Sequence, residues 1–155
     1  MLGGMSDPHG IRMIDVGDKP VTPRTARASA RLRARPDTVT RIRTGSLEKG
    51  DAVATARLAA VMAAKRTSDV VPLCHPLPLD AVACTIALEH DAVLIETTVR
   101  ATARTGVEME ALVAATAAAL AVYDMCKSLD PGMAIEHVRL EEKTGGVRGD
   151  YRREA

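Results

Sequence analysis

The chain predicts an α+β fold in which an antiparallel sheet is packed by helices in a split βαβ arrangement, and three observations carry that reading. Residues from Ala26 to Ala34 alternate small apolar side chains with polar or basic ones. Two β-prone segments, 79–89 and 92–102, flank a His90-Asp91 turn. An almost wholly apolar stretch of helical length follows them. Written out, the order is strand, helices, strand, strand, helix, strand, which is ferredoxin-like.

Taken in order, residues 1–12 have neither a basic leader nor an apolar core and read as a loose, disordered arm that is not a signal peptide. A short extended piece covers Ile11–Val16. In the first strand Ala28, Ala30, Leu32 and Ala34 share one face while Ser29, Arg31 and Arg33 share the other. Pro36-Asp37 opens a short helix to about Arg43, Gly45-Ser46 breaks it, and a second helix runs from 51 to 66 with Asp51 placed as its N-cap. The prolines at 72, 76 and 78 predict a stiff extended connection, because proline fixes φ and restricts the residue before it. The long helix spans 106–127, since Ala and Leu are strong helix formers. Thr105-Gly106-Val107-Glu108 before it has the capping-box pattern, a device typically worth ~1 kcal/mol. Met133–Glu142 is expected to be the last strand, and residues 143–155 a mobile glycine-rich tail able to close over a bound ligand. Residues 13–142 are expected to form one domain.

The composition makes the core unusual. Among 155 residues there is no Trp, no Phe and only Tyr123 and Tyr151, while Ala occurs 26 times, so large side chains give way to close helix approach and burial against another subunit. The net charge of +1 excludes a polyanion-coating protein. Cys74, Cys84 and Cys126 are scattered, which gives no disulfide framework and no zinc pattern and fits a reducing cytoplasm.

From Ala111 to Val122 only Thr116 is polar, so the long helix reads as covered by its own sheet on one side and by a partner subunit on another, and the run is shorter than a membrane span. Helical spacing puts Asp124 on the stripe of Val113, Ala117 and Leu120, and Lys127 beside Leu120 and Tyr123, so both charges are expected on an inward-facing surface. Such a pair is either a structural ion pair or catalytic machinery. The arginines at 24, 27, 31, 33, 35, 41 and 43 are expected mostly on a solvated sheet face.

Several motifs occur together: Lys49-Gly50-Asp51-Ala52-Val53-Ala54-Thr55-Ala56-Arg57, Ala63-Ala64-Lys65-Arg66-Thr67, Pro72-Leu73-Cys74-His75-Pro76-Leu77, Thr105–Leu112, Tyr123–Lys127 and Lys143-Thr144-Gly145-Gly146. From roughly Met13 to Asp150 the chain resembles the MoaC family, the cyclic pyranopterin monophosphate synthases of molybdenum cofactor biosynthesis. The resemblance implies a cytoplasmic lyase that turns a cyclised dihydroguanosine triphosphate into a pterin bearing a cyclic phosphate, with release of pyrophosphate. It also implies a homohexamer, a trimer of dimers, with each site at a dimer interface.

Carried onto this chain, Asp124 and Lys127 match the family's catalytic pair, with Lys127 as general acid/base and Asp124 orienting it or sharing the proton. Lys49, just before a helix start, is a further active-site lysine and a natural anion contact. Arg24, Lys65, Leu73, Cys74, His75, Glu108, Met109, Glu110 and Lys143 match substrate-binding positions, the cations making charge-assisted contacts to phosphate. No metal site and no required cofactor is implied; a magnesium ion travelling with the triphosphate is compatible with this set. On their own, Glu108 is a cap, Glu110 a solvated first-turn acid, Lys65 a complement to a helix dipole and His75 a loop residue. Arg104 stands where lysine is common in the family. The alternatives are an RNA-binding or nucleotide-sensing ferredoxin-like module. Against the first, sheet-type RNA readers stack bases on aromatic rings, and no strand here is expected to carry one.

Overall fold

The computed structural model describes residues 10–155, so the arm expected over 1–12 lies mostly outside the described residues. Residues 10–21 form no helix or strand. The elements that follow are β1 (Thr22–Arg33), α1 (Pro36–Thr44), α2 (Ala52–Ala64), α3 (Thr67–Val70), β2 (Ala81–Leu88), β3 (Ala92–Ala103), α4 (Glu108–Cys126), β4 (Ala134–Thr144) and β5 (Tyr151–Arg152). The sheet order is β2-β3-β1-β4-β5, with every neighbouring pair antiparallel. This is the expected α+β arrangement with one short strand added at an edge; that strand carries Tyr151, against the expectation of no aromatic ring in any strand, and is two residues long.

Strand β1 begins four residues before the predicted alternation and holds the centre, with Ala28 opposite Thr97 of β3 and Leu140 of β4. Its even-numbered residues, from Arg24 through Ala26, Ala28 and Ala30 to Leu32, are buried beneath the helices. Helix α2 turns Ala52, Ala56, Ala60 and Ala64 inward, and α4 turns Ala111, Ala114, Ala115, Ala118, Ala119 and Val122. Methyl-sized side chains let these two helices approach closely, which is how a core without Phe or Trp fills its volume. Thr97, fully buried on β3, donates its hydroxyl to the Ala111 carbonyl at 2.7 Å and fastens the start of α4 to the sheet.

Asp51 caps α2 as predicted, its carboxylate accepting the Ala54 N–H at 2.9 Å. The capping box does not form: Val107 is the N-cap of α4, with no side-chain cap bond. The orientation expected for Asp124 and Lys127 is also corrected. Val113 and Ala117 are half-buried, Leu120 is exposed, and Asp124 and Lys127 point outward, because the buried stripe is the alanine face. At 19 residues with a mean hydropathy of 1.4, α4 is long and apolar enough to cross a bilayer; half of it is instead buried within the protein.

The opposite face of the sheet is a lattice of ion pairs. Arg27 meets Glu96 at 2.8 Å and Glu142 at 3.3 Å, Arg31 meets Glu136 at 3.3 Å and Asp91 at 3.4 Å, and Arg33 meets Glu136 at 3.0 Å. These arginines lie on the solvated face as expected, but their charge is already matched, which removes the electrostatic footprint an RNA reader needs.

Candidate active site

The expected site residues separate into two groups at opposite ends of α4. At its N-terminal end, a cleft of about 400 Å³ is lined by Arg24, Leu73, Cys74, His75, Glu108, Met109 and Lys143. A smaller cavity of about 170 Å³ adjoins it, lined by Lys65, His75 and Glu110, and His75 belongs to both walls.

Arg24 reaches the cleft because its even register on β1 turns it to the helix side. It is 9% exposed and donates from Nη2 to the Arg104 carbonyl at 3.2 Å, while its buried Nε has no partner. The backbone of Gly145-Gly146 lies flat across it. A Cβ on Gly146 would sit 2.1 Å from Arg24 Nη1, and one on Gly145 would sit 2.2 Å from the Pro23 carbonyl oxygen, with φ at +86° and +93° respectively. Only glycine fits this close approach in a left-handed conformation.

Glu108 pairs with Lys143 at 3.6 Å in place of the expected cap. Glu110 is 2% exposed; Cys74 Sγ approaches its Oε1 at 3.9 Å and its Oε2 has no partner. Burial, reinforced by the charge of Glu108, pushes the Glu110 carboxyl above its ordinary value. Burial first and Glu110 second push the Cys74 thiol up as well, so this thiol is not a poised nucleophile.

At the C-terminal end, Lys49 and Lys127 share one carboxylate. Lys49 Nζ lies 2.8 Å from Asp124 Oδ2 and Lys127 Nζ lies 2.7 Å from Asp124 Oδ1; Lys49 also donates to the Asp124 backbone carbonyl at 3.2 Å. The hydrogen bond from Lys127, followed by that from Lys49, lowers Asp124 to about 2, and Asp124 in return raises Lys127. The three side chains are about half exposed, so this is a presented constellation and not a buried structural pair.

The two groups do not meet within one chain. From Glu108 to Asp124 is sixteen residues of continuous helix, about 24 Å at 1.5 Å per residue. That exceeds the reach of a nucleoside triphosphate.

Three cations in the cleft, Lys19, Arg104 and Arg148, were not among the expected site residues. Arg104 adjoins the Thr105–Leu112 motif and Arg148 follows the glycine pair by two residues, so proximity to motifs was the available signal. Among the described residues, no group of three or more His, Cys, Asp or Glu side chains is placed to share a metal ion.

Comparison with known proteins agrees with the motif set. The MoaC family profile matches residues 13–146. The chain is 53% identical over 153 residues to a cyclic pyranopterin monophosphate synthase of Herpetosiphon aurantiacus, covering 97% of this chain and 93% of the relative. It is 54% identical over 152 residues to the enzyme of that name from Streptomyces coelicolor, covering 98% and 89%. It is 50% identical over 153 residues to that of Brevibacillus brevis, covering 98% and 96%. With a profile spanning most of its length and relatives matched nearly end to end, the chain belongs to the MoaC family.

Proposed function

We infer that this protein is a cyclic pyranopterin monophosphate synthase, a lyase of molybdenum cofactor biosynthesis acting on a purine-derived cyclic triphosphate. The observation that carries the reading is the pairing of a cationic cleft with a two-lysine, one-carboxylate cluster, in a chain half identical to enzymes of that name.

The 24 Å separation supports a composite site, in which the cleft of one subunit is completed by Lys49, Asp124 and Lys127 of another. The occupant required is a second copy of this chain. Along α4 Met109, Val113, Ala117 and Leu120 share one face between the two groups, Val113 and Ala117 half-buried and Leu120 54% exposed, and α2 exposes Leu58 and Met62 at 61% and 50%. An antiparallel pairing of two α4 helices about a two-fold axis near Thr116 covers this apolar stripe and places each cleft beside the other subunit's cluster. Such self-complementary contacts are the rule for two-fold dimers. Three such dimers give the hexamer implied by the resemblance.

In this site each group has a task. Glu110, buried with one oxygen free, is set to meet N–H donors of the pyrimidine edge. The cations of the cleft hold the phosphates. Lys127 enters as an ammonium, raised by Asp124, and serves first as proton donor during ring rearrangement. Cations of the facing cleft lower the same lysine's proton affinity, which prepares its return as a base. In the phosphate step a substrate hydroxyl oxygen bonds to the α-phosphorus while the bond from that phosphorus to the α–β bridging oxygen breaks. The bonding pair leaves on pyrophosphate and the hydroxyl proton passes to the base. Any magnesium ion arrives with the triphosphate. The family's biosynthetic role fits a cytoplasmic location.

The test is mass-spectrometric turnover of the cyclised triphosphate by the assembled protein and by a Lys127→Ala variant of equal oligomeric mass. Cyclic phosphate product and pyrophosphate from the wild type, with loss in the variant, is expected. Binding without product from a correctly assembled wild type would favour a nucleotide sensor.

A further inference from the structure

The cleft at the N-terminal end of α4 carries more positive charge than the expected residues account for. Lys19, Arg24, Arg104, Lys143 and Arg148 all line it, against the single acid Glu108. Glu108 is engaged with Lys143, and Lys19, Arg24, Arg104 and Arg148 form no ion pair among the described residues. Arg24 is the most telling, since a guanidinium more than nine-tenths buried with an unpartnered Nε and no carboxylate is expensive unless an anion joins it.

Arg148 is brought there by a specific piece of architecture. Strand β5 pairs Tyr151 with Lys143 and Arg152 with Glu142, so residues 145–150 form the turn of a hairpin. Asp150 Oδ1 accepts the Gly145 N–H at 3.0 Å and closes this turn, while Gly145-Gly146 seats it on Arg24. The hairpin therefore brings Arg148 into the lining of the cleft that Arg104 also lines.

We propose that Arg148 and Arg104 are further phosphate-binding residues that, with Arg24, form a clamp for the departing pyrophosphate, so that the cleft binds inorganic pyrophosphate by itself. The identity of the leaving group rests on the lyase reading; the binding of a condensed phosphate does not. Two unpaired guanidiniums in one cleft, each a fork of donors, match an anion with two linked phosphoryl groups better than one with a single group. Pyrophosphate then competes with the substrate's own phosphates.

Calorimetric titration of the assembled protein with sodium pyrophosphate and with sodium orthophosphate, at one ionic strength, tests this. Arg148→Gln and Arg104→Gln are compared with wild type, and Arg33→Gln on the far face of the sheet serves as the control for general charge. The expected result is pyrophosphate binding at least about tenfold tighter than orthophosphate, weakened about tenfold by each cleft substitution and unchanged by the control. In turnover, Arg148→Gln should raise KM and relieve inhibition by added pyrophosphate. Equal affinity for the two anions, or wild-type affinity in Arg148→Gln, overturns the clamp. Pyrophosphate binding as expected in a protein that does not turn over the cyclised triphosphate overturns the lyase reading and leaves the clamp standing.

Discussion

Removal of the Asp130 carboxylate should loosen the joint between the end of α4 and the start of α1. Asp130, in the turn after α4, is 4% exposed; its Oδ2 accepts the Arg35 backbone N–H at 2.8 Å and the Thr38 hydroxyl at 3.2 Å. Helix α1 has no side-chain cap from its own N-cap residue, Arg35, so a residue 95 positions away supplies the carboxylate. Asp130→Ala leaves an N–H and a hydroxyl without partners in a closed region. At ~1–3 kcal/mol for each stranded buried group, with partial relief by entering water, the loss is about 3 kcal/mol. The further 3.8 Å approach of Arg35 Nε adds little, because that side chain is 59% exposed. For a chain of 155 residues, ~1 kcal/mol corresponds to about 3 °C, so the midpoint should fall about 9 °C. Asp130→Asn keeps one acceptor for the Arg35 N–H and should fall about 3 °C. Differential scanning calorimetry at one fixed protein concentration reads both, since association contributes to the midpoint. An alanine variant melting within about 2 °C of wild type would refute the capping argument.

Four further outcomes follow from the same geometry. Because burial raises Glu110 in the folded state, its contribution to stability is fully present below the unfolded value of 4.5 and is lost as pH rises through the folded value. Glu110→Gln should therefore melt higher than wild type at neutral pH while turning over more slowly, as parallel melts and rate assays at pH 5 and pH 8 will show. Asp124 shifts the other way, from 3.8 to about 2, so its contribution is present above 3.8 and disappears as pH falls through about 2. A carbon-detected titration should show the Asp124 carboxylate ionised at pH 4, and any acid limb of the rate profile above that pH should survive Asp124→Asn. Gly146→Ala, with φ at +86° and its Cβ 2.1 Å from Arg24 Nη1, should destabilise by ~1–2 kcal/mol and raise KM by displacing the guanidinium. Leu120→Lys, on the exposed apolar stripe, should lower the oligomeric mass in light scattering without loss of helical circular dichroism.

What was legible in the sequence follows period and local chemistry. The alternation from Ala26 to Ala34 fixes which side of β1 is buried, and extending that phase back two residues puts Arg24 under the helices, apart from Arg27, Arg31 and Arg33. Asp51 was readable as a cap because capping is local. The rotation of α4 was not readable: a helix apolar on every side has no moment to orient it, and the deciding factor is that alanine methyls admit α2 and the sheet more closely than Leu120 or Met109 would. Glu108 illustrates competition between local and distant partners. Its spacing from Thr105 suits a capping box, but Lys143 arrives from β4 and takes the carboxylate. The arginine partners Glu96, Glu136 and Glu142 lie sixty or more residues away in sequence, so only strand register reveals that the charges cancel. The division of the site was implicit in one helix carrying motifs at both ends, because sixteen helical residues fix a length.

That division is the central claim, and subunit mixing tests it most directly. His75→Ala damages the cleft and Lys127→Ala damages the cluster, so each alone should be nearly inactive. When the two are unfolded together and reassembled in equal amounts, a site built from two chains draws an intact cleft half the time and an intact cluster half the time, which gives about a quarter of wild-type turnover. Recovery to about that level is the predicted result, with no recovery when the proteins are mixed without exchange. A reassembled, correctly sized oligomer that remains inactive would contradict the account, because it would mean that each chain builds its site alone.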